Sequence, residues 1–433
     1  MRSGGNMGRY CVIGAGAAGL SALQAMKGTD HEVECFEKDK RIGGHWNTDY
    51  DALHLITARD QTHFPNFPMP SNYPHFPSRQ QVLDYINAFA DHEELRDMIT
   101  FDTEVVSVSP VPTNEDHPKG SAGWKVISSR GDEGVFDGVL VANGHLWDAK
   151  VPTQAEDYEG LQLHSSEYQN TDGLNDGRVL VVGSGNSGCD MAVDVAQHRI
   201  PVDIVIRKGI HFQPKMYFGV PRQELKFLAE YTPQEQDLIS RLLAKVSIGD
   251  NSAYPGMPQP ESHDLAGGST TVNDQLLYWI QHGRIDVKPA INQIRGKTVH
   301  FEDGTSQIYE SILWATGFHA SLPFLDSDII TWQNGTPVRY AGGMLPEGVE
   351  NLYFVGLIAP RGPQIPVYGQ QMRYILRMIA LKEQNRPDTR RLTEFFGRSQ
   401  QPETKIDVVR DDWNKDMADT DAKLAWLETM ATV

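Results

Sequence analysis

Two short apolar runs, Tyr10–Ile13 and Val179–Val182, each give way to glycines and then to a stretch with apolar residues at helical spacing. Each reads as strand, tight loop, helix; the first spans 9 to about 28. A second strand follows it, Val33–Phe36, ending at Glu37, and a second strand follows the later copy, Val202–Ile206, ending at Arg207. Between the copies, residues 79–97 carry Val82, Leu83, Ile86 and Phe89 on one face and predict a helix. Residues 103–108 and 123–129 alternate like strands of a small antiparallel insert, and Val139–Ala142 reads as a buried strand ending at Asn143-Gly144. The second half is expected to begin near 170. Leu225, Leu228, Leu238, Leu242 and Leu243 predict a helix over 222–247, and the Gly, Pro and Asn of 249–268 predict a loop. After about 300 the pattern of the first half returns. Tyr309–Trp314 ends in Ala315-Thr316-Gly317, an echo of Ala142-Asn143-Gly144, and Leu352–Val355 ends at Gly356, with a helix to follow. Beyond 402 the chain is acidic with scattered Trp413, Leu424, Trp426 and Leu427, which predicts a solvated amphipathic helix, a candidate subunit contact.

The glycines give these patterns chemistry. The first loop is CVIGAGAAGLSA, with Gly14, Gly16, Ala17, Ala18 and Gly19; the second is VVGSGNSGCDMA, with Gly183, Ser184, Gly185, Asn186, Ser187 and Gly188. In GxGxxG the first glycine makes the turn, the second admits a pyrophosphate, and the third lets helix pack on strand. The end of the next strand distinguishes the copies. Glu37, then Lys38, stands 23 residues after Gly14; Arg207, then Lys208, stands 24 after Gly183. An acid accepts from a free ribose 2′-hydroxyl, whereas a guanidinium forks onto a 2′-phosphate. The first site therefore reads as one for FAD and the second as one for NADPH. The predicted fold is α/β, with two Rossmann-like dinucleotide-binding domains. The FAD domain is discontinuous (8–169 and 301–400), the NADPH domain spans 170–300, and the acidic tail is 401–433.

A chain of 433 residues with a formal charge of −18 can bury large cores, and argues against nucleic acid or an anionic membrane as partner. With no run of 18 apolar residues and no signal-peptide pattern, a cytoplasmic protein is expected. The Gly-rich residues 1–6 are expected to be unstructured, with Met7 as an alternative start. Cys11, Cys35 and Cys189 form no CxxC and read as buried, inert thiols, which weighs against disulfide-reductase chemistry. The 15 histidines show no metal-ligand spacing, so no metal is assigned. Lys215 faces either a phosphate or solvent. The prolines of FPNFPMPSNYPHFP (64–77) exclude a regular helix or central strand, and the segment is expected to line the flavin region.

The segment between the two glycine loops reads YEGLQLHSSEY, with Tyr158, Gly160, His164 and Tyr168. It resembles the fingerprint of the flavin-containing monooxygenases, with Tyr158 in place of the usual Phe. Tyr168 ends the motif where Baeyer–Villiger enzymes carry Trp. RIGGHW (41–46), WATGF (314–318) and IPVYGQQMR (365–373) fit the same resemblance, which covers about 8–395. It implies flavin contacts at Gly44, His45, Trp46, Val105, Ala142 and Gln371, and nicotinamide-dinucleotide contacts at Ala315, Thr316 and Gly317. It also implies that His164 helps set a hinge between domains. The implied reaction passes hydride from NADPH to FAD and oxygen from O2, through a C4a-(hydro)peroxyflavin, to the nitrogen of an amine or the sulfur of a sulfide. A homodimer acting on a small molecule is expected. Many relatives carry an Asn before the FPxFP-like segment. Here that stretch is LHLITARDQTHF (53–64), which leaves Thr57, Arg59, Asp60 and His63 as candidates for its role. In this respect the chain is similar to the YUCCA enzymes, so decarboxylation of a 2-oxo acid is the alternative reaction. An NADPH oxidase or reductase without oxygen insertion is the other.

Overall fold

The computed structural model describes residues 7–112, 118–265, 268–384, 389 and 391–430; residues 1–6, expected to be unstructured, lie outside these. Its frame is two five-stranded parallel sheets. The first has the spatial order Leu352–Phe354, Gly138–Val141, Arg9–Ile13, Glu32–Phe36, Ile99–Thr100. The second has the order Ile285–Lys288, Val202–Val205, Val179–Val182, Ser311–Trp314, Leu161–His164.

Both sheets are covered on both faces in the same way, which is why their central strands are mostly apolar. In the first, Tyr10, Val12 and Leu140 pack beneath helices Ala17–Lys27 and Ile365–Glu383. The alternate residues Cys11, Ile13, Val139 and Val141 meet Trp124, Val126 and Phe136 of a three-stranded antiparallel insert. In the second, Val179, Val181 and Ile204 face helices Asn186–Gln197 and Gln275–Gln281. Leu180, Val205 and Ile312 face a second antiparallel insert through Ile294, Val299 and Phe301.

The pairing corrects the expected boundaries at 170 and 301. Strands Leu161–His164 and Ser311–Trp314 both belong to the second sheet, so the chain returns to the first only at Leu352–Phe354. A four-residue apolar run states that a strand is buried but not in which sheet. The helix expected over 222–247 begins at Pro233. Thr232 and Glu235 form a capping box there, and residues 222–230 make two 3-10 turns instead. The proline segment does not line the flavin region. Phe64 stacks on Phe89 with ring centroids 3.7 Å apart, and Phe67 meets Tyr85, so the segment caps helix Arg79–His92. The acidic tail is not a solvated helix. Helix Arg410–Met430 buries Trp413, Met417, Leu424 and Leu427 against its own chain, and Arg377 ties it down through Asp421 and Glu428.

Candidate active site

In an open parallel sheet, ligands bind beyond the carboxyl ends of the strands, where the strand order reverses. The first reversal lies between Arg9–Ile13 and Gly138–Val141, the second between Val179–Val182 and Ser311–Trp314. Each glycine loop leaves the sheet at one of these places, and the two are built alike. A Cβ on Gly14 would stand 2.7 Å from the Ala142 carbonyl oxygen, and one on Gly183 would stand 2.3 Å from that of Ala315. A Cβ on Gly19 would fall 1.8 Å from Gly14 O, and one on Gly188 would fall 2.0 Å from Gly183 O. The sequence echo of Ala142-Asn143-Gly144 in Ala315-Thr316-Gly317 is thus the strand opposite each loop, once in each sheet.

A cavity of about 890 Å³ opens from the first loop, within the usual range for small-molecule sites. Gly14, Gly16, Ala17, Ala18, Glu37, Lys38, Gly44, His45, Trp46, Val105 and Ala142 all line it. Gly19 does not; it serves the helix–strand contact. Glu37 accepts the Ala15 N–H at 2.6 Å and the Asp39 N–H at 2.8 Å, so it closes the loop as well as facing the cavity. Burial pushes its carboxyl above the usual range, against those two amides. Lys38 lies 4.6 Å over the Trp147 ring. Gln371 is corrected from the cavity wall to a support behind it. It accepts from Gly356 N–H at 2.9 Å and donates to Gly342 O at 3.2 Å, and Gly356 is the residue that lines the cavity.

Of the four candidates in LHLITARDQTHF, only Thr57 lines the cavity. Its hydroxyl lies 2.7 Å from that of Thr62, and Thr62 donates to Ala58 O at 3.0 Å. Thr62 has one proton to give, so Thr57 donates to Thr62 and keeps only lone pairs for a ligand. Arg59 holds Ser71 O at 2.8 Å, the Tyr73 carbonyl, and Asp60 at 2.8 Å; Asp60 is exposed. His63 bonds through Nδ1 to Phe64 O at 2.8 Å. These three brace the proline segment.

Around the second loop, the strand Thr270–Val272 closes over the glycines. Thr271 donates to Ser184 O at 3.0 Å, and Val272 N–H to the Asn186 side chain at 3.0 Å. Asn186 reaches the cavity wall; Gly183, Ser184, Gly185 and Ser187 stay behind it. Arg207 and Lys208 are exposed at the end of the neighbouring strand. Lys208 lies 3.9 Å from Glu261, and among the described residues Arg207 has no side-chain partner. Thr316 donates to the Lys150 carbonyl, and Gly317 O accepts His164 Nε2–H at 3.0 Å.

The four named fingerprint residues brace the second unit and do not line the cavity, although Ser166 between them does. Tyr158 donates to Tyr309 O at 2.9 Å, and a Cβ on Gly160 would sit 2.3 Å from the Tyr158 hydroxyl. With Nε2 donating to Gly317 and Nδ1 facing the Ser166 N–H at 3.3 Å, His164 is a neutral ring; burial lowers its pKa. Tyr168 donates to Asp194 at 2.6 Å. Sequence reasoning missed several wall residues: Thr62, His145, Trp147, Ser166, Arg222 and Tyr368. His145 and Trp147 follow Asn143-Gly144 at a strand end where the order reverses, so that position was a usable signal. Burial pushes the His145 imidazole down to about 4, which keeps it neutral at pH 7.

Residues 7–423 match the family described as flavin-binding monooxygenase-like. The chain belongs to this family. It is an enzyme, a flavin-dependent monooxygenase, and its frame is the family's two-dinucleotide-binding α/β fold. Flavin-containing monooxygenase 5 of Oryctolagus cuniculus is 30% identical over 393 residues, covering 84% of this chain and 72% of that protein. The N-oxide-forming dimethylaniline monooxygenase 2 of Macaca mulatta is 29% identical over 397 residues, covering 86% and 73%. Among solved structures, the steroid monooxygenase described as bound to NADP superposes with a TM-score of 0.64 at 20% identity, covering 87% of this chain and 86% of that one. S-allyl-L-cysteine S-oxygenase from Allium sativum superposes with a TM-score of 0.59 at 21% identity, covering 99% and 84%. Among the described residues no helix is long and apolar enough to cross a membrane, and no group of three His, Cys, Asp or Glu side chains could hold a metal.

Proposed function

We propose that the protein holds FAD in the first glycine loop and NADPH in the second, and oxygenates the nitrogen of an amine or the sulfur of a sulfide. For a sulfide the balance is R2S + O2 + NADPH + H+ giving R2SO + NADP+ + H2O. A bound flavin supplies the two-electron chemistry that lets NADPH reduce dioxygen. The chain contributes the rest. Gly14, Gly16 and the amides that begin helix Ala17–Lys27 admit a pyrophosphate. Glu37 offers a carboxylate to a ribose, and Thr57 and Thr62 present oxygens beside the apolar Leu55 and Ile56. Neutral His145 adds no charge to the wall.

The observation that carries the reading is the pair of equivalent glycine loops with opposite side chains after them: buried Glu37 at one, and at the other an exposed Arg207 with no side-chain partner among the described residues. Arg207→Ala is expected to raise the KM for NADPH about tenfold to a hundredfold, the worth of one charge-assisted contact, and to leave that for NADH almost unchanged. Equal effects on both would remove the assignment. The oxidase alternative draws on Thr57, which can accept but not donate where an Asn amide could do both. The ratio of sulfoxide formed to NADPH consumed, with thioanisole as substrate, separates the two. A ratio near one supports oxygenation; peroxide alone supports the oxidase. A homodimer and a cytoplasmic location complete the proposal, and light scattering on the flavin-loaded protein tests the dimer.

A further inference from the structure

Arg222 lies in the cavity wall with no ion-pair partner among the described residues. Arg222 stands on the short 3-10 turn Arg222–Glu224, which the second unit lays against the first. The Gln61 side chain donates to Gln223 O at 2.9 Å, and the Gln223 side chain donates to Ile56 O at 3.4 Å. The backbone of Arg222 is held too, its N–H donating to Lys215 O at 3.0 Å. The turn is therefore held at Arg222 and Gln223, next to the Ile56–Thr57 wall.

The Arg222 guanidinium lines the cavity, its Nε is buried without a partner, and among the described residues the side chain makes no ion pair. Glu37, Asp39, Glu104 and Asp407 also line the cavity, and none of them pairs with it. Burial holds the guanidinium below its ordinary pKa, and Tyr217 is the one group that opposes this. A guanidinium cannot shed its proton at working pH, and this half-buried one, its Nε cut off from water, stands without an opposite charge beside it. An arriving anion would give Arg222 the partner it lacks. Arg presents a planar fork that matches a carboxylate through two parallel N–H bonds.

We propose that Arg222 recognises an anionic group of the substrate, so that the preferred substrate is a sulfide or amine carrying a carboxylate. This rests on the oxygenase reading above. Leu55 and Ile56 take the apolar part of such a molecule and Arg222 its charged end. A phosphate of the nicotinamide dinucleotide is the other source of an anion, and the test separates the two.

The experiment is calorimetric titration of the flavin-loaded protein, saturated with NADP+, using 3-(methylthio)propanoate and its uncharged isostere 3-(methylthio)propanamide. The wild-type chain is expected to bind the carboxylate at least about tenfold more tightly than the amide. Arg222→Gln should abolish that preference, and Arg222→Lys should keep part of it. NADP+ affinity, titrated separately, should hold in both variants. Equal affinities for the two probes in the wild-type chain, or no measurable binding of either, would overturn the proposal whether or not the Gln variant folds. So would a preference that survives Arg222→Gln, or a loss that falls on NADP+ instead. Product analysis of the same mixtures keeps the two readings apart. Carboxylate preference without sulfoxide removes the oxygenase and leaves the anion site; sulfoxide from both probes without preference does the reverse.

Discussion

Gly16→Val is expected to yield a folded, colourless protein, whereas Gly19→Ala is expected to damage the fold itself. The two glycines lie three residues apart in one loop, but a side chain meets different things at each. Gly16 has an extended backbone (φ −74°, ψ −174°), a region that β-branched residues adopt readily. A Cβ there would find nothing nearer than Gly44 at 3.8 Å, so the empty protein has room for it. The same methyls would occupy the cavity wall where a pyrophosphate must approach the backbone. Overpacking of that kind costs about 3 kcal/mol, or roughly a hundredfold in flavin affinity. At Gly19 the Cβ would fall 1.8 Å from Gly14 O, inside any real contact, so helix Ala17–Lys27 would have to move off its strand. Visible absorbance per chain and the unfolding midpoint of the flavin-free protein check the pair. Full flavin in Gly16→Val, or an unchanged midpoint in Gly19→Ala, would refute it.

Lys382→Met is expected to lower stability by about 3–5 kcal/mol at pH 7, the usual cost of leaving a buried charge without its partner. Glu350 is 3% exposed; it accepts from Thr393 N–H at 3.0 Å and lies 2.5 Å from the Lys382 ammonium. Its backbone carbonyl holds the Trp124 indole N–H at 3.0 Å. One residue therefore joins helix Ile365–Glu383, helix Leu392–Gly397 and the first antiparallel insert. Burial already raises the Glu350 carboxyl, and Lys382 is the chief influence against this. Without Lys382 the folded pKa rises further above the unfolded one. The protonated carboxyl then favours folding, an advantage present at low pH and lost as pH climbs through the folded value. The deficit of the variant should therefore shrink between pH 8 and pH 5 in urea unfolding. A loss below about 1 kcal/mol that does not vary with pH would mean that water already reaches the pair. The same helix carries Gln371, the support of Gly356, so flavin retention should fall with stability.

How far the chain could be read without its fold depends on which forces are local. Turn geometry, helix caps and residue periodicity act over a few residues. The two glycine loops, the acid at 37, the arginine at 207, the helix from 79 and the small antiparallel insert were legible for that reason. The fingerprint 158–168 was legible as a motif, but not its work. That Tyr158, His164 and Tyr168 hold the second unit together through Tyr309, Gly317 and Asp194 depends on partners 26 to 153 residues away.

By itself the sequence determined two glycine loops with an acid after one and an arginine after the other, the strands that lead into them, and a chain with enough apolar surface for two cores. Tertiary structure alone decided which sheet received Leu161–His164 and Ser311–Trp314, since parallel strands pair through backbone hydrogen bonds that no side chain announces. It decided that Thr57, and not Arg59, Asp60 or His63, faces the cavity, because a turn of a few residues points successive side chains in different directions. It also brought the turn Arg222–Glu224 of one unit against Ile56 of the other through Gln223, leaving Arg222 in the cavity wall with an unpartnered, buried Nε. Burial and pairing are properties of the assembled surface, and a string of residues carries neither.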